Sequence, residues 1–541
     1  MQKDTLWTAI ATAFAVGAVT AHAEVGETGN VLIAPFYGAA AYDDGSANET
    51  YLSIVNTQDV TKAVKVRFRE GRGSEDSLDF HVYLSPHDIW TAAITQNSDG
   101  QTVLVSADTS CTVPALTPNP EASRALFLPT YVPNAYAGDD ADLPTAAERV
   151  AEGYFEIIEM ATFSAGTTRG NYTATEFAWH VEHGADGVPR NCPAAVALNE
   201  ILWTAGSGSP PSGSIFGGDD AVAINFGTPT GGLFGNAALI NVVRGTYKPF
   251  EMIALNTLDA LGVEPGSIGD ALGGDNLFFS QNGTTSSGLL AYTADGGLKN
   301  AKSNRLQYWD LPDLSTMPVA LATDATPGDS GHLAAVNEAL LASAIYNEYV
   351  VDEGINARTD WVVTFPTKKF HVTDGDLGTN AQGQVVHGSD YAPVAPFTVA
   401  FNETLGQACE PVRFRIWDRE EAEETPQQPS GIGFSPGLPG TPEVTALCFE
   451  MNVVSINDAE TTADLALPSS VLGGTTTRQN IRIEELDSDA GWIFLDLTNN
   501  GQKAGLPATG FMAADFENGV INGTLRNYGG TWNHRYERAL R

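Results

Sequence analysis

Residues 61–70 read Thr-Lys-Ala-Val-Lys-Val-Arg-Phe-Arg-Glu, "TKAVKVRFRE", and the reading of this stretch decides the fold. Val64, Val66 and Phe68 alternate with Lys65, Arg67 and Arg69, which is the period-two pattern of a strand with one buried face. Turn-forming Asn56-Thr57-Gln58-Asp59 precedes it and Gly71-Arg72-Gly73-Ser74 follows it. The cations stand out because the chain holds 28 Lys+Arg against 66 Asp+Glu, a formal net charge of −38. An outward basic face on so acidic a chain is expected to be solvated or paired internally. It could also dock acidic loops of its own chain or of a copy, so Lys65, Arg67 and Arg69 are the candidate assembly contact.

Outward from this strand the β pattern continues. "NVLIAPFY" from Asn30, "ETYLSIVNT" from Glu49, "SLDFHVYLSPHDIWTAAI" from Ser77 and "EGYFEIIEMATF" over Glu152–Phe163 all read as strands. Ser85-Pro86-His87-Asp88 is a turn between two of them. Strands at this spacing predict an immunoglobulin-like β-sandwich. The last third repeats the pattern in "TDWVVTFPTKKFHV", "EPVRFRIWDRE", "ALCFEMNVVSI", "GWIFLDL" and "LPATGFMAADF". There Val412-Arg413-Phe414-Arg415 echoes Val66-Arg67-Phe68-Arg69. Between the two β regions, apolar residues from Leu333 to Tyr349 recur at three-to-four spacing, which predicts one long helix over about 329–349 capped by Asp329 or Ser330. Pro193–Trp203 reads as a short helix with proline near its start. The expected fold class is mainly β: sandwiches, one long helix, and long Gly/Pro-rich loops. The expected domains are an N-terminal sandwich over 24–200, a middle region over 201–355 and a C-terminal sandwich over 356–541.

The first residues carry a different signal. Lys3, an apolar run from Leu6 to Val19 and Ala21-His22-Ala23 form a Sec-type signal peptide over 1–23, with Glu24 as the first mature residue. No later apolar stretch has the length of a membrane-spanning helix. The expected location is the cell surface or extracellular space, with the periplasm as the alternative. Four cysteines in an exported chain read as disulfides. Three connectivities exist, and Cys111–Cys192 with Cys409–Cys448 is favoured because each closes a loop within one half. The acidic balance opposes nucleic-acid binding.

Several motifs have plainer readings. Gly328-Asp329-Ser330-Gly331 copies the nucleophile motif of trypsin-like proteases, but "IWTAAITQ" lacks the histidine that a triad needs. Its reading is a helix-capping turn. Leu506-Pro507-Ala508-Thr509-Gly510 matches a sorting motif without the apolar span and basic tail that sorting requires, and reads as a strand entry. His180 and His183 flank Glu182 but lack the spacing of a helical zinc motif. Asp139, Asp140, Asp142, Asp374 and Asp376, with Asp43-Asp44, are weak calcium candidates. Calcium is the one cofactor these clusters suggest, and none of them has EF-hand spacing. Trp90, Trp361, Trp492 and Trp532 could form a sugar platform, although such residues more often fill cores. No catalytic constellation is complete, so no enzyme activity and no catalytic residue is assigned.

The segments "LSIVNTQDVTKAVKVRFREG", "LDFHVYLSPHDIWTAAI", "EGYFEIIEM", "TDWVVTFPTKKF" and "NYGGTWNHRYER" resemble a family of exported, functionally uncharacterised cell-surface proteins of Gram-negative bacteria. The resemblance implies export and brings no established activity or catalytic residues. The expectation is therefore a non-enzymatic structural protein of the cell surface or extracellular space, with self-assembly into filaments or a surface layer. In that reading Glu24–Tyr37 is the strand donated to a neighbour. The alternatives are a carbohydrate-binding or carbohydrate-cleaving exoprotein, marked by a groove of exposed aromatics with carboxylates, and a periplasmic partner of a surface or secretion complex.

Overall fold

The computed structural model describes residues 24–538 except 40, 43–44, 114, 128–143, 164–167, 170–171, 194–228, 257–313, 315–330, 373–377, 380–384, 387–391, 403–404, 425, 428–444, 457–467, 475, 484–488 and 500. The protein is mainly β, as expected. The expected signal peptide, the calcium candidates, Asp329, Ser330 and most of Pro193–Trp203 lie outside the described residues.

The first half contains β1 (Glu24–Gly26), β2 (Val31–Gly38), β3 (Glu49–Asn56), β4 (Thr61–Glu70), β5 (Asp76–Leu84), β6 (Ile89–Gln96), β7 (Thr102–Val105), β8 (Thr112–Val113) and β9 (Glu152–Phe163). A short hairpin, β10 (Thr168–Arg169) and β11 (Tyr172–Thr173), leads into helix α2 (Ala174–Val181); α1 (Ala146–Arg149) precedes β9. Strands β12 (Leu233–Asn241), β13 (Thr246–Glu251) and β14 (Ile253–Asn256) follow. They form a seven-stranded sheet in the order β1-β14-β2-β9-β4-β5-β8 and a five-stranded sheet in the order β13-β12-β3-β6-β7. Val64, Val66, Phe68, Phe80 and Ile157 from the larger sheet meet Leu52, Ile54, Trp90, Ile94 and Leu239 from the smaller in one apolar core. Each such side chain contributes roughly 1.5–3 kcal/mol by leaving water.

Two expectations about this half need correcting. Residues 233–256, assigned to a middle region, complete both N-terminal sheets. Strand β2, inside the segment expected to be donated to a neighbour, is buried along its whole length and paired on both sides, with β14 and β9. A strand with both edges occupied has no backbone groups left to offer another chain.

The helix expected over about 329–349 is α3 (Gly331–Leu340), and it ends there. Its continuation is β15 (Leu341–Ala342) and β16 (Ala344–Val350). The sequence Ile345-Tyr346-Asn347-Glu348-Tyr349-Val350 is rich in residues that prefer strands. Its pairing with β26 (Ala490–Asp496) over seven positions outweighs the helical spacing of the apolar residues. Helix α3 instead covers the outer face of the seven-stranded sheet, where Val336, Ala339 and Leu340 pack on Val31, Ile33 and Ile158.

The second half continues with β17 (Ala357–Thr364), α4 (Lys369–Val372), the pair β18 (Gly378–Thr379) and β19 (Val385–Val386), β20 (Glu410–Asp418), β21 (Glu423–Glu424), β22 (Pro426–Gln427), β23 (Thr445–Leu447), β24 (Met451–Ile456) and β25 (Arg478–Ile483). After β26 come β27 (Leu506–Pro507), β28 (Thr509–Ile521), β29 (Thr524–Asn533) and β30 (Arg535–Glu537). One sheet runs β21-β20-β26-β16-β30 and the other β22-β25-β24-β17-β28-β29. Trp361, Val363, Met512 and Val454 from the second sheet pack on Ile345, Phe414, Ile416 and Ile493 from the first.

The second sheet is buried on its other face too. Val362, Met451, Val453, Phe511 and Ala513 join the N-terminal core, and Phe511 stacks on Phe250 with centroids 4.6 Å apart. Tyr154 donates to Pro366 O and Thr364 to Pro35 O across the same junction. The two halves thus share one core. Disulfides join Cys111 to Cys192 and Cys409 to Cys448, each within its own half.

Candidate functional site

The cations that first drew attention are interior. All of β4 is buried. Its alternation holds: Val64, Val66 and Phe68 enter the core, and Lys65, Arg67 and Arg69 take the opposite face. That face, however, is buried too, with the Phe370 ring 5.9 Å from the Arg69 guanidinium. Register supplies the counter-charges, because Arg67 lies opposite Asp79 on β5 and Glu156 on β9. Lys65 pairs with Asp79 at 3.3 Å and Arg67 with the same carboxylate at 3.2 Å. Arg69 bridges Asp76 at 2.9 Å and Glu156 at 2.7 Å. Burial alone would raise the Asp76 pKa, but Arg67 and Arg69 hold it well below the usual carboxylate range. The strip is a structural ion-pair network, and its burial removes it as a surface contact.

The histidines do not form a metal centre. His183 Nδ1 lies 2.9 Å from Ser85 Oγ and 3.7 Å from Asp88 Oδ2, while His180 sits near the end of α2. No group of three His, Cys, Asp or Glu side chains is arranged to hold a metal among the described residues. Leu506 and Ala508 of the LPATG segment are fully buried around the start of β28, in keeping with a strand entry.

The four tryptophans divide cleanly. Trp90 and Trp361 are fully buried core residues, while Trp492 is 40% and Trp532 46% exposed. Both exposed residues line one cleft of about 840 Å³, walled by β16, β20 and β26 of one sheet and by β28 and β29 of the other. Trp417, which the sequence analysis passed over, completes it. Trp417 and Trp492 lie directly opposite each other on β20 and β26, so their side chains share a sheet face. Their rings stack with centroids 4.3 Å apart and planes 13° apart. The Arg415 guanidinium sits 4.6 Å from the Trp417 ring, and Tyr346 follows Trp492 at 6.5 Å. Gly491 allows this close approach, because a Cβ there would overlap Trp417 O and crowd Tyr349.

The polar lining is mostly acidic. Glu348, directly opposite Trp492, and Glu421 are exposed, with Arg419 beside them as a cation. Asp418 also lines the cleft but is 3% exposed. Its Oδ1 accepts the Ala422 N–H at 2.9 Å, and its Oδ2 has no hydrogen-bond partner among the described residues. A buried acceptor of this kind is costly until something donates to it.

Trp532 is held from behind. Asn347 on β16 donates to Trp532 O and to His534 Nδ1, both at 3.0 Å. His534 Nε2 donates to Val362 O at 2.9 Å. Both ring nitrogens are therefore engaged by the neutral imidazole, and burial pushes the His534 pKa down to about 3. The tryptophans of the cleft stand on strands β20, β26 and β29, while Arg419 and Glu421 come from the turn after β20. Compared with protein-family models, with curated proteins and with solved structures, the chain matches none of them.

Proposed function

We propose that this chain is an exported, non-catalytic carbohydrate-binding protein of the cell exterior, with the cleft between Trp492 and Trp532 as its sugar site. The observation that carries this reading is the pair of half-open indoles, one on a strand of each C-terminal sheet, lining one cleft with acidic acceptors. The C–H face of a pyranose is apolar and lies flat against an indole, while its hydroxyls donate to carboxylates. Aromatic rings provide large contact area at little conformational cost, and a few polar groups set orientation. Glu348 and Glu421, both exposed in the cleft lining, supply carboxylates for sugar hydroxyls. Export is supported by the Ala21-His22-Ala23 signal and by two disulfides that suit an oxidising compartment. Among the described residues, no helix is long and apolar enough to cross a membrane.

Native gels cast with a panel of neutral polysaccharides test the proposal. The wild-type protein is expected to be retarded by at least one of them, and Trp492→Ala and Trp532→Ala to migrate freely. Equal mobility of all three proteins in every gel would refute a sugar site at the cleft.

A further inference from the structure

A second exposed apolar feature lies away from the cleft, at the tips of two hairpins. The β12–β13 turn presents Val242 (78% exposed) and Val243, and the β28–β29 turn presents Val520 (68% exposed) and Ile521. Tyr247 and Tyr528 are exposed on the strands behind them, with Leu525 between. Turn tips are ordinarily polar, so aliphatic residues at two of them call for an explanation.

The tips are built to stay where they are. Asn522 and Gly523 both have positive φ, 53° and 77°, the backbone of a two-residue Asn-Gly hairpin turn. In the other turn Asn241 Oδ1 accepts the Arg244 N–H at 2.9 Å and Gly245 takes φ 71°. The hairpins are fastened side by side: Asn527 donates to Arg244 O at 2.9 Å, and Arg244 pairs with Glu517 at 3.2 Å. The apolar tips therefore form one rigid projection.

The projection itself is poor in acids. Residues 241–250 and 518–533 contain Arg244, Lys248 and Arg526 and no carboxylate, in a protein with 66 acids to 28 bases. We propose that this projection docks on a phospholipid surface, with the four aliphatic tip residues entering the acyl boundary and Tyr247 and Tyr528 at headgroup depth. Convex tips insert into a deformable apolar medium, and tyrosine favours the boundary between hydrocarbon and water. Arg526, exposed beside the tips, is placed to meet lipid phosphates, while Arg244 is neutralised by Glu517 and the buried Lys248 by Asp515. The net charge of −38 makes a zwitterionic surface the preferred one, because an anionic leaflet repels the remainder of the molecule.

Co-sedimentation with phosphatidylcholine vesicles tests the proposal. Wild-type protein is expected to pellet with the vesicles and to remain bound at high salt, since apolar insertion is screened little. The double variant Val242→Asp/Val520→Asp is expected to lose about ten-fold or more of vesicle binding. Its melting temperature should be unchanged, because both side chains are exposed. Polysaccharide retardation should also persist in this variant, which separates the lipid surface from the cleft. Wild-type protein that stays in the supernatant, or a variant that binds vesicles as well as wild type, would overturn the assignment. So would wild-type dimers that the double variant breaks in the absence of lipid, since the projection would then be a contact between copies.

Discussion

Val66-Arg67-Phe68-Arg69 on β4 and Val412-Arg413-Phe414-Arg415 on β20 have the same four residues in the same alternation and opposite fates. In both, the valine and phenylalanine enter a core. On β4 the arginines are also buried, between carboxylates supplied by β5 and β9. On β20, Arg413 is exposed, and Arg415 pairs with Glu423 where both side chains are about half open. Beside it the exposed face carries Trp417 and Trp492. What differs is the layer above the strand: a covered face became an ion-pair network, and an open face became a cleft. Alternation reports which residues share a face, and the rest of the chain decides what that face meets.

The largest expected effect lies in the covered strand. Asp79→Ala removes the carboxylate shared by Lys65 and Arg67 and leaves both cations buried, at a cost of about 3–5 kcal/mol. Chemical denaturation should show this as a large fall in midpoint. A shift within the error of a Glu423→Ala control, which removes the exposed partner of Arg415, would erase the distinction between the two faces.

A smaller effect comes from the histidine behind Trp532. With a folded-state pKa near 3, His534 stays neutral while its unfolded counterpart takes up a proton below about 6.5. The stability it permits is complete above that pH and declines as pH falls toward 3, by on the order of 3 kcal/mol at pH 4. Asp515 runs the other way. Burial lifts its pKa to about 6 despite Lys248 at 2.8 Å, so its contribution grows as pH falls through 6. Comparing denaturation at pH 7 and pH 4, His534→Gln should lose less stability than wild type and Asp515→Asn should lose more. Parallel pH profiles for all three proteins would contradict this pair of assignments.

The smallest expected effect on folding is in the open strand itself. Arg415→Ala removes an exposed ion pair and a cation stacked on Trp417, so its melting temperature should match wild type within error. Saccharide affinity should fall modestly as Trp417 loses its backing. A folding defect as large as that of Asp79→Ala would show that β20 is covered after all.

Much of this was legible in residues close together in the chain. The alternation in β4, the bounds of β9 and the Ser85–Asp88 turn follow from local pattern, and all three appear in the structure. The counter-charges of Arg67 and Arg69 were present in the sequence as Asp76 and Asp79 of β5 and Glu156 of β9. Only strand order shows that those positions become neighbours. The end of α3 was obscured for a related reason, because the residues after Leu340 fit a helical stripe and a strand equally well until β26 arrives to pair with them. Among the tryptophans, type alone could not separate Trp90 from Trp492. The Asn522-Gly523 dipeptide between apolar residues was a strong hairpin signal that the sequence reading did not use.

The central claim is that function resides at the open aromatic face. Calorimetric titration of wild type and of the Trp492→Ala/Trp532→Ala double variant with a polysaccharide that retards the wild type addresses it most directly. The account predicts saturable heat for wild type and loss of most of the affinity in the variant, at an unchanged melting temperature. Equal affinity for the two proteins would contradict it.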